Sequence, residues 1–318
     1  MSYLAFDLLF VALPAVLLLL GRSWRPLLGP VAVLAPVALV WTAPWDEHLV
    51  RTGVWTYAPD AVLARIGSVP AEEYGFVVLE VLLVAAWALR IGALTPPATL
   101  VGLVPSARRA GAAVWLVVTA VGVALAVEGG HLRYLGLLLL WVGPPMALQR
   151  AVAGDLLRAR RRARLAVALP VALWLCAADR LALADGIWAI TPASSTGVLL
   201  LGLPLEEALF FVLTCCLVAD GLLLCADPRA RDRALRIAQA AATTSRTVWR
   251  ASRRPAVGPS APTGSKEGTS AGIVSGTWTG AGSGSRADRL SLTSRSTSDS
   301  RTPRARQMLA SSSDDASF

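Results

Sequence analysis

Seven apolar stretches limit the folds open to this sequence, because each is close to the ~20 residues that cross a bilayer as a helix. The stretches are approximately residues 3–20, 27–43, 72–90, 112–128, 132–149, 165–182 and 204–225. Hydrophobic residues make up 55% of the chain and charged residues 16%, which is typical of a polytopic helical membrane protein. Prolines within the stretches are expected to kink the helices without ending them. The sequence therefore predicts an all-α membrane protein with seven transmembrane helices.

Arginine placement predicts how these helices are oriented. If the N-terminus is outside, the cytoplasmic loops contain eleven Arg and the opposite loops contain four. The first stretch lacks a basic leader and a small-residue cleavage site, so it is expected to be a membrane helix and not a signal peptide. The prediction is a multi-pass protein of the cell membrane with an extracytoplasmic N-terminus and a cytoplasmic C-terminal tail. On this interpretation the net charge of +9 reflects membrane topology, and no nucleic acid partner is expected.

A Pro-x-Glu-Glu motif opens two of the stretches. It occurs at residues 70–73 and, 134 positions later, at residues 204–207, so the carboxyl pairs are Glu72-Glu73 and Glu206-Glu207. One explanation is helix-end chemistry, since Pro suits the first helical position and carboxylates complement the helix dipole. The other is function, because a carboxylate at mid-bilayer costs roughly 2.5–3.5 kcal/mol and usually marks a functional site. The recurrence of the pair favours the functional explanation.

The motif belongs to a longer internal repeat. Corresponding positions, 131 to 134 residues apart, include Tyr3/Tyr134, Pro14/Pro145, Trp41/Trp174, Asp46/Asp179, Gly53/Gly186 and Trp55/Trp188. Because each unit has three helices and one helix lies between the units, both units have the same orientation. The predicted arrangement is therefore 3+1+3, in which two parallel three-helix repeats are joined by one linker helix.

The domain boundaries follow from this repeat. Residues 1–95 and 131–226 are the predicted three-helix repeats, and residues 96–130 contain the predicted linker helix. Residues 227–318 are predicted to be a cytoplasmic tail, first basic and then of low complexity and disordered. For the Arg-rich part, residues 229–254, a helix on the anionic inner leaflet and plain disorder are both open.

The carboxyl pairs offer acid–base chemistry. Two carboxyls in a partly apolar site cannot easily both ionise, so one pair supplies a general acid and a general base. Asp46 and Asp179 are expected at the same end of the helices, where either can orient the proton or stabilise positive charge. Aromatic rings suited to a cation complete the candidate site, although interfacial Trp also forms ordinary aromatic belts. These residues are Trp41, Trp45, Trp55, Phe76, Trp174, Trp188, Phe210 and Phe211.

The other polar residues predict no further chemistry. His48 and His131 do not correspond across the repeat and are interpreted as interfacial residues. The four Cys lack metal-ligand spacing, so no metal site is expected. Dinucleotide-binding, P-loop, hydrolase-elbow and zinc-protease motifs do not occur. Asp7 is a lone carboxylate in the first stretch, compatible with an internal cavity or with an interfacial position.

These motifs resemble the membrane-embedded carotenoid cyclases, the small lycopene cyclases of actinobacteria, archaea and fungi. The resemblance covers about residues 1–226 and is to the form in which two halves are fused through one helix. It is carried by Pro44-Trp45-Asp46, Gly53-Val54-Trp55-Thr56-Tyr57, Pro70–Phe76, Asp185–Trp188 and Leu203–Phe211. Tyr74-Gly75 departs from the bulkier residues expected before Phe76, and Ala177-Ala178 stands where the first unit has Pro44-Trp45.

The resemblance implies a reaction and its partners. Lycopene would enter from the bilayer, its terminal alkene would be protonated, and ring closure with proton loss would form β-ionone rings, giving γ-carotene and then β-carotene. The sequence of steps is redox-neutral, so no cofactor is expected. The implied proton-transfer residues are Glu72, Glu73, Glu206 and Glu207, supported by Asp46 and Asp179. Other enzymes of the carotenoid pathway are candidate partners.

Alternatives to this hypothesis exist within the family and in other classes of membrane protein. Within the family, a cyclase of C50 carotenoids or one that forms ε rings is open, because the ring type depends on which proton is lost. A proton-coupled transporter is the rival from another class, since parallel repeats and acidic pairs also occur there. A retinal protein is disfavoured, because the sole Lys, Lys266, lies in the tail and cannot form a Schiff base inside the bundle.

Overall fold

The protein is described by a computed structural model that covers residues 1–99 and 103–252. The first helical segment runs without a break through α1 (Tyr3–Phe6), a π-helical stretch (Asp7–Ala12) and α2 (Leu13–Leu19). The remaining α-helices are α3 (Arg25–Arg51), α4 (Ala71–Arg90), α5 (Ser106–Glu128), α6 (Arg133–Ala159), α7 (Arg161–Ala184), α8 (Leu205–Ala226) and α9 (Pro228–Ser252). Short 3-10 helices occur at Gly130–Leu132 and Pro192–Ser194.

Five of these helices are long and apolar enough to cross a membrane. They are Arg25–Arg51, Ser106–Glu128, Gly130–Ala159, Arg161–Ala184 and Leu205–Ala226. The other two predicted spans are also helical: Tyr3–Leu19 is shorter, and α4 contains three Glu within its apolar sequence. The expectation of a helical membrane protein is thus confirmed. The predicted low-complexity tail from Pro255 onward lies outside the described residues.

The prolines do not end the helices, as the sequence predicts. Helix α3 continues through Pro30, Pro36 and Pro44. The π-helical stretch lies immediately before Pro14, whose missing N–H removes one bond of the normal helical pattern. Helix α6 continues through Pro144 and Pro145, and its kink lies further on, at the non-helical residue Ala153.

Helix α5 is peripheral and packs through glycine. Gly122 is the buried residue of this helix, and it faces the backbone of α6. A Cβ at Gly122 would overlap the backbone of Leu140, and one at Gly136 would overlap the backbone of Ala126. Small residues allow this close approach of two helices in a membrane.

Short strands lie at one end of the bundle, which we call the loop end. They are β1 (Trp55–Tyr57), β2 (Arg65–Ile66), β3 (Val69–Pro70), β4 (Trp188–Ile190), β5 (Leu199–Leu200) and β6 (Leu203–Pro204). Strands β2 and β3 form one hairpin before α4, and β5 and β6 form another before α8. Strand β1 pairs antiparallel with β4, so the two loop regions are joined across the bundle.

The opposite end of the bundle contains buried ion pairs. Asp220 on α8 is fully buried and bonds to Arg164 and, at 2.7 Å, to Arg150. The Arg-rich segment after α8 forms α9, which is tied to α6 by an ion pair of 2.6 Å between Arg233 and Asp155. The Arg233–Asp155 pair anchors α9 to the helical bundle.

Candidate active site

The β1–β4 pair brings the two loop regions into one site. Trp55 lies opposite Ile190, Thr56 opposite Ala189, and Tyr57 opposite Trp188. The backbone N–H of Ala58 also donates to the carbonyl of Ile187, at 3.1 Å. The pairing therefore places Tyr57 and Trp188 together at the loop end, above the first turns of α4 and α8.

Glu73 is held by two phenols. It is buried in the first turn of α4, and its Oε2 accepts hydrogen bonds from the hydroxyls of Tyr3 and Tyr57, both at 2.7 Å. Burial, and then the charge of Glu73, raise the pKa of the Tyr57 hydroxyl well above its ordinary value of 10.0. Tyr57 therefore remains a protonated donor at neutral pH.

Glu207 has the corresponding position in α8. It is buried, and its Oε1 accepts a hydrogen bond of 2.6 Å from the hydroxyl of Tyr134. Asp179, at the end of α7, is fully buried and accepts a bond of 2.8 Å from the indole N–H of Trp188. These acidic groups come from different helices and converge at the loop end.

The other Glu of each pair, Glu72 or Glu206, accepts hydrogen bonds from the loop that precedes its helix. Glu72 Oε1 accepts the backbone N–H of Leu63 at 2.6 Å. Glu206 Oε1 accepts the backbone N–H of Thr196 at 2.6 Å, and its Oε2 accepts the hydroxyl of Ser195 at 3.0 Å. The two Glu in each pair are thus differently placed, although their sequence pattern predicts one shared role.

A small cavity of about 30 Å³ collects most of the predicted residues. Its lining is aromatic apart from Ile190 and three carboxyl groups, and it combines residues of both loop regions with those of α1, α4, α7 and α8. The lining residues are Tyr3, Trp55, Tyr57, Glu73, Phe76, Asp179, Trp188, Ile190, Glu207, Phe210 and Phe211. One Glu from each predicted pair therefore borders a single cavity.

An apolar groove of about 280 Å³ adjoins this cavity between α3, α4, α6 and α8. We call it the Glu73 groove, because Glu73, Phe76 and Phe210 line both spaces. Its lining residues are Val33, Leu34, Val37, Ala38, Trp41, Thr42, Glu73, Phe76, Val77, Glu80, Val81, Trp141, Pro145, Leu148, Gln149, Phe210, Thr214, Leu217 and Val218. Val37 and Leu148 are more than half exposed, so the groove is open on the outer surface of the bundle.

A second groove, of about 320 Å³, contains no carboxyl group. It is lined by Pro14, Leu17, Leu18, Leu83, Trp87, Pro170, Val171 and Trp174. The predicted residues Trp41 and Trp174 therefore lie in different grooves. Each indole N–H donates to a backbone carbonyl, from Trp41 to Trp141 at 3.2 Å and from Trp174 to Phe10 at 2.7 Å.

Two of the predicted residues lie beside the cavity. Trp45 stacks on Phe210 and on Trp141, with ring centroids 5.8 Å and 4.7 Å away. Asp46 is buried next to these aromatic residues in α3, close enough to Glu73 for their charges to interact. Trp45 therefore supports the cavity wall from behind, through Phe210.

Asp7 has an internal position, which decides between the two possibilities left by the sequence. It is buried, and its Oδ2 lies 4.0 Å from the place that a Cβ on Gly75 would occupy. A Cβ at position 75 would therefore be in ordinary van der Waals contact with Asp7.

Sequence reasoning missed Tyr57 and Glu80 as site residues. Tyr57 reaches Glu73 through strand pairing, for which the sequence contains no local signal. Glu80 follows Glu73 by seven residues, which is two helical turns, and this spacing could have indicated a shared face. Within residues 1–99 and 103–252, no three His, Cys, Asp or Glu side chains are arranged as metal ligands.

Fold and site define a polytopic helical membrane protein whose buried carboxyl groups border an apolar groove. The chain belongs to the lycopene cyclase family: the family model for lycopene cyclase matches residues 1–89 and 133–220. The segment between the two matches contains α5.

Individual relatives agree with the family match. A lycopene beta-cyclase of Halobacterium salinarum is 39% identical over 239 residues, which are 73% of this chain and 99% of that protein. A bifunctional lycopene cyclase/phytoene synthase of Aspergillus oryzae is 29% identical over 210 residues, 62% of this chain and 34% of the fungal protein. A protein of the same name from Leptosphaeria maculans is 35% identical over 240 residues, 70% of this chain and 41% of that protein. No solved structure matches the chain.

Proposed function

We propose that this protein is a lycopene β-cyclase, which closes the linear ends of lycopene into β-ionone rings within the membrane. The observation that carries the proposal is the position of Glu73, a buried carboxyl at the junction of an aromatic cavity and an apolar groove. Membership of the lycopene cyclase family supports it. The groove offers an apolar surface for the polyene, and its exposed side allows entry from lipid.

Glu73 is the proposed proton donor. Both phenols bond to the same oxygen, Oε2, which leaves Oε1 to carry a transferable proton. Donation to the terminal alkene forms a C–H bond and leaves a tertiary carbocation. The electron pair of the neighbouring double bond then forms the ring bond, and loss of a proton restores neutrality. Tyr3 and Tyr57 stabilise the carboxylate that remains after donation.

Aromatic side chains stabilise the cationic intermediates. Phe76 and Phe210 line both cavity and groove, so their π faces are available where the positive charge develops. Phe211 lies against both of these rings, with centroids 6.2 Å from Phe76 and 5.1 Å from Phe210. The same apolar wall excludes water, which would otherwise trap the cation as an alcohol.

Glu72 and Glu206 are assigned to the loops and Glu207 to the cavity. The bonds of Glu72 and Glu206 to backbone N–H groups of the loops favour a structural role. Glu207 borders the cavity and not the Glu73 groove, so it is proposed to set the charge balance around Glu73. This assignment places the acid in the first half of the chain.

The finer architecture is proposed to be two parallel three-helix repeats joined by α5. The Tyr–Glu bond occurs in both halves, as Tyr3–Glu73 and Tyr134–Glu207. The β1–β4 register is symmetric about the Thr56–Ala189 pair, and these two residues are 133 positions apart, like other corresponding positions of the repeat. Both observations are those expected of a two-fold axis along the membrane normal.

The membrane orientation is proposed from charge. The loop end would face outside with the N-terminus, because the Arg excess lies at the other end. Helix α9 would then lie at the cytoplasmic surface, where its Arg residues can meet anionic lipid.

Expression in a lycopene-accumulating bacterium, followed by pigment chromatography, tests the proposed function. We expect β-carotene from the natural sequence, lycopene alone from Glu73→Gln, and β-carotene from Glu128→Gln, which changes an exposed Glu in the same way. ε-Ring products would indicate the ε-type alternative. Unchanged lycopene with the natural sequence, at normal protein levels in the membrane, would refute a C40 cyclase.

A further inference from the structure

Glu80 is a second carboxyl group in the Glu73 groove. It lies seven residues after Glu73 on α4, so the two side chains share one helix face with Cα atoms about 10 Å apart. Glu80 is buried, with 5% of its surface exposed, and it lines the groove beside Val77 and Val81. Of the described residues that line this groove, Glu73 and Glu80 are the two that can exchange a proton with a substrate.

The surroundings of Glu80 do not explain it as a structural residue. Its Oε1 accepts a weak bond from the Cys215 thiol at 3.6 Å, and the neighbouring Thr214 hydroxyl donates to the carbonyl of Phe211 at 3.3 Å. No ion pair within residues 1–99 and 103–252 includes it. A carboxyl at this depth is costly, and an apolar residue would pack the helix without that cost. The position is therefore better explained by chemistry in the groove.

We propose that Glu80 is the base that removes the proton after ring closure, an inference that rests on the proposed cyclase function. Glu73 gives a proton to the terminal alkene, and ring closure moves the positive charge to a ring carbon. The Glu80 carboxylate then takes a proton from the adjacent ring carbon, whose C–H electron pair becomes the ring double bond. One proton has entered the hydrocarbon from Glu73 and one has left it to Glu80, so the steps balance without an oxidant or a reductant.

A separate acceptor fits the arrangement around Glu73. The two phenols that bond Glu73 hold its carboxylate after donation, which makes it a poorer base for the next step. The weaker donors around Glu80 leave its oxygens available to the substrate. The position of Glu80 along the groove then selects which proton is lost, and so the type of ring.

The test compares Glu80→Gln and Glu80→Asp with Glu128→Gln as a matched control. Cyclisation rate, ring type and the amount of lycopene that copurifies with the protein are measured at equal protein level. For Glu80→Gln we expect a rate about 100-fold lower, since general acid–base groups contribute roughly 10²–10⁴-fold. Lycopene should be retained, and the residual product should contain ε or hydroxylated rings. Glu80→Asp should recover part of the rate.

Three results would overturn the assignment. They are a Glu80→Gln rate within twofold of the natural protein, a loss of bound lycopene that matches the loss of rate, or a slower reaction with unchanged rings that Asp does not improve. Activity of the natural protein and its loss in Glu73→Gln are established first. An inactive natural protein rejects the cyclase proposal itself, and an active Glu73→Gln variant rejects Glu73 as the donor. Failure at position 80 alone rejects the role of Glu80.

Discussion

Removal of the phenols that bond Glu73 is the most specific perturbation of the proposed mechanism. Tyr3→Phe and Tyr57→Phe each delete one 2.7 Å hydrogen bond to Oε2 while keeping the aromatic ring. The rings of Tyr3 and Tyr57 stack with centroids 5.9 Å apart, and this packing does not need the hydroxyls. The substitutions therefore isolate the hydrogen bonds from the cavity wall.

The expected loss follows from the strength of such bonds. A hydrogen bond to a charged group contributes about 1.5–3 kcal/mol. Since 1.36 kcal/mol corresponds to a tenfold change in rate, one bond is worth roughly 10- to 100-fold. While the second phenol still donates to Oε2, each single substitution should lower the rate by about tenfold. The double variant should lose about 100-fold or more.

Tyr134→Phe is the matched control in the other half of the chain. It deletes the 2.6 Å bond to Glu207, which has the same chemistry but does not border the Glu73 groove. The assay is the conversion of lycopene to β-carotene over time in membranes with equal protein content. A larger loss in Tyr134→Phe than in Tyr3→Phe, or near-normal rates in all variants, would refute the assignment of Glu73 as the acid.

Further predictions concern stability and the tail. Glu206→Ala should lower the free energy of unfolding of the purified protein by about 1–3 kcal/mol, because the N–H of Thr196 loses its acceptor. Equal melting temperatures of Glu206→Ala and Glu128→Ala would contradict this. Asp220→Asn should lower the amount of folded protein in membranes, since removing one partner of a buried ion pair costs about 3–5 kcal/mol. An unchanged yield of folded protein would argue against that cost. A chain that ends after residue 252 should convert lycopene to β-carotene at a normal rate, because every proposed site residue lies before that point. Loss of activity would show that residues 253–318 take part.

Much of the helical architecture could be predicted from the sequence. Apolar length and the acidic pairs at residues 72–73 and 206–207 are local features, and the structure has helices in all seven predicted stretches. Helices in membranes satisfy their own backbone hydrogen bonds, so hydrophobic length alone predicts them well. The repeat also predicted that acidic residues of both halves lie at one end, and Glu73 and Glu207 do border one cavity.

Which Glu of each pair faces the cavity could not be predicted in the same way. Adjacent helical residues point about 100° apart, so one side chain of each pair faces the cavity and the other faces the loop. Which of them faces inward depends on how α4 and α8 are rotated by packing against their neighbours. The position of Tyr57 beside Glu73 likewise depends on the β1–β4 pairing, which joins residues 131 to 135 positions apart.

The sequence determined where the chain forms apolar helices, because that depends on the hydrophobicity of consecutive residues. Tertiary structure decided which carboxyl groups share a space, because that depends on helix rotation and long-range contacts. Glu80 depends on both sequence and tertiary structure. Its spacing from Glu73 is a property of the sequence, but its position in the groove follows from the packing of α3, α4, α6 and α8.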